Sequence, residues 1–185
     1  PVRYYLMREM VLGQDANFTV ESFNNRYNSD LANDFGNLLS RISILINKNF
    51  NGIIPDISSY GVEESKIEKH AEQLIIKYDD LMNRLLLNEA IEEIFQYIRS
   101  INRYFEHKAP WKLVKKDLSD AATVLYVGSQ ALIICSMLLH PIMPNRVKKL
   151  LDVFNVKSID KTWGSLPVGS KLALHQPLFP RIKSN

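Results

Sequence analysis

An all-α fold is predicted by three observations. Long segments carry apolar residues at helical spacing, alternating strand-like patterns are nearly absent, and glycine is scarce, with 7 in 185 residues. Hydrophobic residues make up 46% and charged residues 23%, a globular composition, and the length fits one domain. The architecture expected is a helical bundle with short connections and an extended C-terminal strap.

Pro1–Leu12 predicts a short helix, with proline at a tolerated first-turn position. GQDAN, residues 13–17, reads as a loop. Thr19 is a candidate N-cap for a long helix reaching about Asn49, and Asn51-Gly52 with Pro55 marks the turn after it. A second long helix fits Glu63 to about Leu86, with Ile67, Leu74, Tyr78, Leu81 and Leu85 on one face. Asn88 is a candidate cap for a third, whose Ile91, Ile94, Phe95, Ile98, Ile101 and Phe105 form an apolar stripe; Pro110 is expected to end it. Ser119 is expected to cap a fourth helix, continuing to His140. Pro141 and Pro144 bracket the entry to a short fifth near Phe154. From Ile159 to Asn185 the chain carries Gly and Pro without a helical period, which predicts a strap returning across the bundle.

Composition limits the function classes. The net charge of +3 permits an anionic partner without demonstrating one. The single cysteine, Cys135 in ALIICSMLL, excludes a disulfide within the chain, suits a reducing compartment such as the cytoplasm, and reads as a small buried hydrophobe. His70, His107, His140 and His175 are scattered and no Cys/His pair has ligand spacing, so no metal site is expected. No uninterrupted apolar run reaches the ~18 residues of a membrane span, so no membrane partner is expected. The chain opens on Pro1 rather than methionine, which reads as a piece of something longer.

Two features carry chemistry. On the first long helix, Leu31, Phe35, Leu38, Ile42 and Leu45 fall within an arc of about 80° and should face the core. Arg26, Asp30, Asn33, Asn37 and Arg41 form a second stripe, centred roughly 110° away by the same count. Asparagine is disfavoured inside helices. The stripe fits a solvated face with an Arg26–Asp30 pair, and it fits equally a ladder of amide and guanidinium groups for reading base edges. Spacing alone leaves both open. The second feature is EHKAPWKLVKK, residues 106–116, where Trp111 follows Pro110 in a basic surround; five of the fourteen residues from Arg103 to Lys116 are Lys or Arg. An aromatic face beside a basic rim is how single-stranded nucleic acid is held, bases stacking and phosphates meeting the charge. A tryptophan here could also plug the gap between helices. The stacking reading expects a substantially exposed indole face.

The segments PVRYYLMREMVLGQDANF, NSDLANDFGNLLSR, APWKL, LHPIMP and PLFPRI occur in this order, and together they resemble the C-terminal part of methionyl-tRNA synthetases, class I aminoacyl-tRNA synthetases. The resemblance covers nearly the whole chain and is strongest in DLANDFGNLLSR with APW. It implies a division into 1–18, the tail of the catalytic and stem-contact region; 19–158, a helical anticodon-binding domain; and 159–185, an extended segment packing on the bundle. It implies that Trp111 stacks on an anticodon base with Pro110 shaping the turn, that Asn37 and Arg41 recognise the first anticodon base, a cytosine, and that Asn33 lies at the same site. Lys108, Lys112, Lys115 and Lys116 are expected to meet phosphates. The implied partners are methionine tRNA, elongator and initiator, and the catalytic domain of the same polypeptide. The implied cofactors are none in this segment, with ATP and magnesium in the parent enzyme. No HIGH-like or KMSKS-like motif and no zinc knuckle occurs in the 185 residues, so the segment alone is expected to be inactive. The equivalent domain of an isoleucine, leucine or valine enzyme is a close alternative, against which Asn37, Arg41 and Pro110-Trp111 argue together. A helical protein-interaction module without nucleic acid is the other.

Overall fold

The computed structural model describes residues 1–57, 60–158, 160–174 and 176–183. The helices are α1 (Val2–Glu9), α2 (Val20–Arg26), a π-helical segment (Tyr27–Gly36), α3 (Asn37–Asn49), α4 (Val62–Asn83), α5 (Leu87–Lys108), the one-turn α6 (Pro110–Leu113), α7 (Leu118–Leu139) and α8 (Pro144–Val153). No strand is present among the described residues; an isolated antiparallel bridge joins Ile53 to Lys171. The bundle expected from periodicity is the one observed.

Its centre is α7, in which every residue from Val124 to Leu139 is buried. A helix apolar on all sides has no solvent face, so it is stable only when covered all round. Helices α3, α4, α5, α6 and α8 all pack on it. By length and composition α7 could cross a membrane, yet 89% of its apolar window lies inside the protein. Its buried serines are satisfied locally: the Ser129 and Ser136 hydroxyls donate to the Leu125 and Leu132 carbonyls at 2.7 and 2.6 Å. Gln130 Nε2 donates to the Tyr126 hydroxyl at 3.1 Å, while its Oε1 has no hydrogen-bond partner among the described residues. Gly128 allows the closest approach, because a Cβ there would sit 2.4 Å from Phe105 of α5 and 3.2 Å from Ile42 of α3.

The long first helix is continuous but not uniform. Thr19 caps it as expected, its side chain accepting from the Ser22 amide at 3.0 Å. From Tyr27 to Gly36 it is π-helical, and the Asn37 amide reaches back five residues to the Ala32 carbonyl. A π turn holds more residues than an α turn, so each residue advances by roughly 85° instead of 100°. Between Asp30 and Asn37 this lag accumulates to about 100°. The five-residue polar stripe is therefore broken. Asp30 turns inward, 2% exposed, and accepts from the Tyr4 hydroxyl at 2.6 Å. Arg26 stays with it at 3.6 Å and also pairs with Glu9 of α1 at 2.5 Å. Asn33, Asn37 and Arg41 remain on the outer side. Of the apolar stripe, Leu31, Phe35, Leu38 and Ile42 are buried, while Leu45 is half-buried and Ile46 takes the core position.

Other boundaries shift for local reasons. Helix α4 ends at Asn83, and Leu85, expected on its core face, is left-handed at φ 59 and 64% exposed. Helix α5 begins at Leu87 after an uncapped Leu86, so Asn88 is no cap. Asp117, not Ser119, caps α7; its carboxylate accepts from the Ser119 and Asp120 amides at 2.9 and 3.0 Å. A carboxylate at a helix N-terminus gains from the dipole as well as from the bonds.

The described residues after Ser158 contain no helix; the expected boundary at Ile159, together with His175, Ser184 and Asn185, lies outside the described residues. The segment crosses the bundle. The Ile54 amide donates to Ser170 and the Leu172 amide to Gly52 at 2.9 and 2.8 Å, the Ala173 amide donates to Val153 of α8 at 2.9 Å, and Leu178 and Phe179 are buried. Gly128→Ala forces Phe105 out of its place, and we expect a stability loss of about 1–3 kcal/mol in urea unfolding, without a change in helix content; unchanged stability would contradict this packing.

Candidate nucleic-acid interface

Helix α5 stops one residue before the proline. The residue preceding a proline is sterically disfavoured in the right-handed helical region, and Ala109 adopts φ 46, ψ 61 instead. Pro110 then opens α6 rather than merely ending α5, at a position where a missing N–H costs nothing. It is buried, which fixes the turn against the bundle.

A charged cluster ties down the same corner. Glu64, in the first turn of α4, is 4% exposed and accepts from the Tyr104 hydroxyl of α5 at 2.8 Å. Lys108, the last residue of α5, reaches Glu64 at 3.1 Å and Glu63 at 3.0 Å. The pairing joins an acidic helix N-terminus to a basic C-terminus, favourable to both dipoles. Burial pushes the Glu64 carboxyl up, but the Tyr104 hydrogen bond and the Lys108 ammonium outweigh it, and the net position is below the usual carboxylate range. Burial and the Glu64 carboxylate push the Tyr104 phenol up. Lys108 is thus engaged within the protein, unlike the open phosphate ligand expected of it. Lys112, Lys115 and Lys116 are exposed and have no carboxylate partner among the described residues.

Trp111 is half-buried rather than openly exposed. The Arg41 guanidinium lies over its ring, 4.9 Å from the centroid, and 5.8 Å from that of Phe105. Arg41 Nη2 also meets Glu106 Oε1 at 2.9 Å. The structure therefore joins two features that lie seventy residues apart in sequence: the polar helix face and the tryptophan turn meet at Arg41. Glu106 was not legible as a member of the site, since it reads as one more charged residue near a helix end.

One turn towards the N-terminus, Asn37 is exposed and its side chain makes no hydrogen bond among the described residues. Asn33 lies beside the strap, and its Oδ1 accepts from Arg181 Nη2 and Nε at 2.5 and 3.0 Å. Asn33, Asn37, Ser40, Phe179 and Arg181 line a cleft of about 550 Å³ between helix and strap. Gly36 forms its floor, where a Cβ would lie 2.9 Å from the Leu31 carbonyl and 3.7 Å from Phe179. Arg181 was missed as a site residue. It sits in PLFPRI, a segment without periodicity, and only the tertiary return of the strap brings it to the helix.

The site offers amide donors and acceptors, two guanidinium groups, an aromatic face and, beyond the turn, open ammonium groups. This set suits a base edge, a base face and phosphates. No group of three or more His, Cys, Asp or Glu among the described residues could hold a metal ion.

A helical bundle with an amide- and guanidinium-lined cleft beside a Pro-Trp turn is of the class of anticodon-binding domains of class I aminoacyl-tRNA synthetases. Residues 54–185 match the family described as the anticodon-binding domain of methionyl tRNA ligase, and residues 1–43 match class I tRNA synthetases (M). The methionine–tRNA ligase of Thermotoga maritima is 35% identical over 98% of this chain and 30% of its own length; that of Caldanaerobacter subterraneus subsp. tengcongensis is 36% identical, with the same coverage. The apo methionyl-tRNA synthetase of Mycobacterium tuberculosis superposes with a TM-score of 0.93 at 29% identity, over 100% of this chain and 39% of that one. The chain belongs to the methionyl-tRNA ligase family, of which it carries the anticodon-binding domain. It spans 30% of the length of those two relatives.

Because the folded carboxyl of Glu64 lies below its ordinary value, its contribution is complete above about pH 4.3, the unfolded value, and is lost as pH falls through the lower folded value. Glu64→Gln should therefore destabilise the chain at neutral pH, and its urea midpoint should converge with wild type on acidification. A gap that stays constant down to low pH would assign the loss to something other than the charge.

Proposed function

We propose that this chain reads the CAU anticodon of methionine tRNA, elongator and initiator, for a methionine–tRNA ligase that makes methionyl-tRNA from methionine, ATP and tRNA. The single observation that carries the reading is the meeting of Arg41 with Trp111 at 4.9 Å, beside a cleft holding Asn33, Asn37 and Arg181. Cytosine presents acceptors at its ring nitrogen and carbonyl and a donor at its amino group. Arg41 can serve only the acceptors, whereas the Asn37 amide can serve either. Arg41 now covers the indole face that a stacked base would take, so binding moves the guanidinium from the ring to the base edge. Lys112, Lys115 and Lys116 supply backbone charge, which positions RNA without reading sequence; Lys108 holds the corner instead.

ATP, magnesium and the adenylate-forming step belong in this reading to the catalytic domain of the same polypeptide. One relative's structure, that of the Mycobacterium tuberculosis synthetase with methionyl-adenylate, has a TM-score of 0.91 over 97% of this chain. Residues 1–18 form the tail of that catalytic and stem-contact region; residues 19–158 are the recognition bundle and 159–185 its strap. On α1 and the following loop, Val2, Leu6, Met10, Val11 and Leu12 are exposed, an apolar face suited to such a neighbour. The buried thiol of Cys135 fits a cytoplasmic setting.

Two measurements test the reading. With anticodon stem-loop RNAs, Arg41→Ala should reduce discrimination against a changed first anticodon base, and Trp111→Ala should weaken binding of the matched RNA by about 1–3 kcal/mol with little change in melting temperature. An equal loss by Arg41→Ala on matched and mismatched RNA would refute base reading by that side chain, and melting of Trp111→Ala would assign the indole to the core. Neutralising Lys112, Lys115 and Lys116 together should weaken both RNAs alike and make the slope of log affinity against log salt shallower by roughly two, at about 0.7 per phosphate contact on single strands. An unchanged slope would place the phosphates elsewhere.

A further inference from the structure

We propose that Asn28 is a positioning residue for anticodon recognition: it registers the C-terminal strap so that Arg181 meets Asn33 at the cleft. The proposal rests on the reading above that this cleft takes the anticodon. The Asn28 side chain grips the backbone of Ile182 from both sides, its Nδ2 donating to the Ile182 carbonyl and its Oδ1 accepting from the Ile182 amide, each at 2.9 Å. A carboxamide carries donor and acceptor together, so asparagine here replaces the strand that the strap lacks. Two further side chains take alternate carbonyls of the same segment. The Tyr27 hydroxyl donates to Pro180 at 3.0 Å and Arg146 Nη1 to Leu178 at 2.8 Å. The Arg146 guanidinium also lies 5.7 Å from the Phe179 ring, which packs over Gly36.

Among the three, only Asn28 holds an amide proton, and this makes it selective for register. Pro180, two residues earlier, has no N–H to offer. A slip by two residues that put Pro180 opposite Asn28 would leave its Oδ1 unpaired. A slip by one residue would displace Arg181 from Asn33. The long, exposed Arg181 side chain has little else to hold it, so its two bonds to Asn33 depend on where the backbone of Ile182 is fixed.

The test uses the full chain, a synthetic anticodon stem-loop carrying CAU, and four proteins: wild type, Asn28→Ala, Arg181→Ala and the double variant. Arg181→Ala should weaken binding roughly tenfold or more, the scale of a charge-assisted hydrogen bond. Asn28→Ala should reproduce most of that loss, and the double variant should be no weaker than Arg181→Ala. Trypsin should cut after Arg181 faster in Asn28→Ala than in wild type, while the melting temperature stays put. Asn28→Asp keeps the acceptor for the Ile182 amide and loses the donor, so its binding should fall between the two; it decides the matter if Asn28→Ala does not fold. Wild-type binding by a folded Asn28→Ala, or losses that multiply in the double variant, would overturn the proposal while leaving Arg181 in the cleft. Arg181→Ala without effect would overturn the cleft's claim on Arg181, and the proposal with it.

Discussion

Everything in this bundle is arranged to cover one helix. Helix α7 is apolar on every side from Val124 to Leu139, and such a helix in water is stable only inside other helices. Covering it brings α3 and α6, distant in sequence, onto the same helix. Arg41 and Trp111 lie on those two elements. Their contact is thus a by-product of core packing, and Gly128 sets how closely α3 and α5 can draw in.

The π-helical segment decides which polar residues face outward. Under-rotation across Tyr27–Gly36 sends Asp30 into the protein, where Tyr4, Arg8 and Arg26 surround its carboxylate. Arg8 also pairs with Glu92, and Glu92 with Arg99 of the same α5 face. The charges expected on an open stripe therefore knit α1, the π segment and α5 together. What remains outside is a shorter face, Asn33, Asn37 and Arg41, where Glu106 pairs with Arg41 and the neighbouring Asp34 is engaged by Arg99. A buried carboxylate stays ionised only where partners and hydrogen bonds offset lost hydration, and Glu64 meets that condition through the Tyr104 hydroxyl and the Lys108 ammonium. The Asp30 carboxylate has a similar surround, with the Tyr4 hydroxyl and the Arg8 and Arg26 guanidinium groups.

Lysines that look alike in EHKAPWKLVKK differ in role because of where the chain turns. Lys108 lies before the left-handed Ala109 and points to the acidic start of α4; Lys112, Lys115 and Lys116 lie after it and point to solvent. A single backbone reversal at Ala109, where the proline that follows disfavours continuing the helix, separates a structural charge from open ones.

The sequence by itself determined the helical bundle, the Thr19 cap, the core stripes of α5 and of Leu31 to Ile42, the non-helical return after Ser158, and, through motifs such as DLANDFGNLLSR and APW, the family. These are legible because hydrophobic period and capping chemistry are local, set by residues a turn apart. Tertiary structure decided the rest. It turned Asp30 inward, since a hydrogen-bonding pattern shifted by one residue leaves no mark in a count made at 100° per residue. It laid Arg41 over Trp111, and it brought Asn28 to Ile182 and Asn33 to Arg181 from opposite ends of the chain. Asn28 shows why: its amide pairs with a backbone 154 residues away, and backbone groups are the same at every position, so nothing in the sequence names which one it holds.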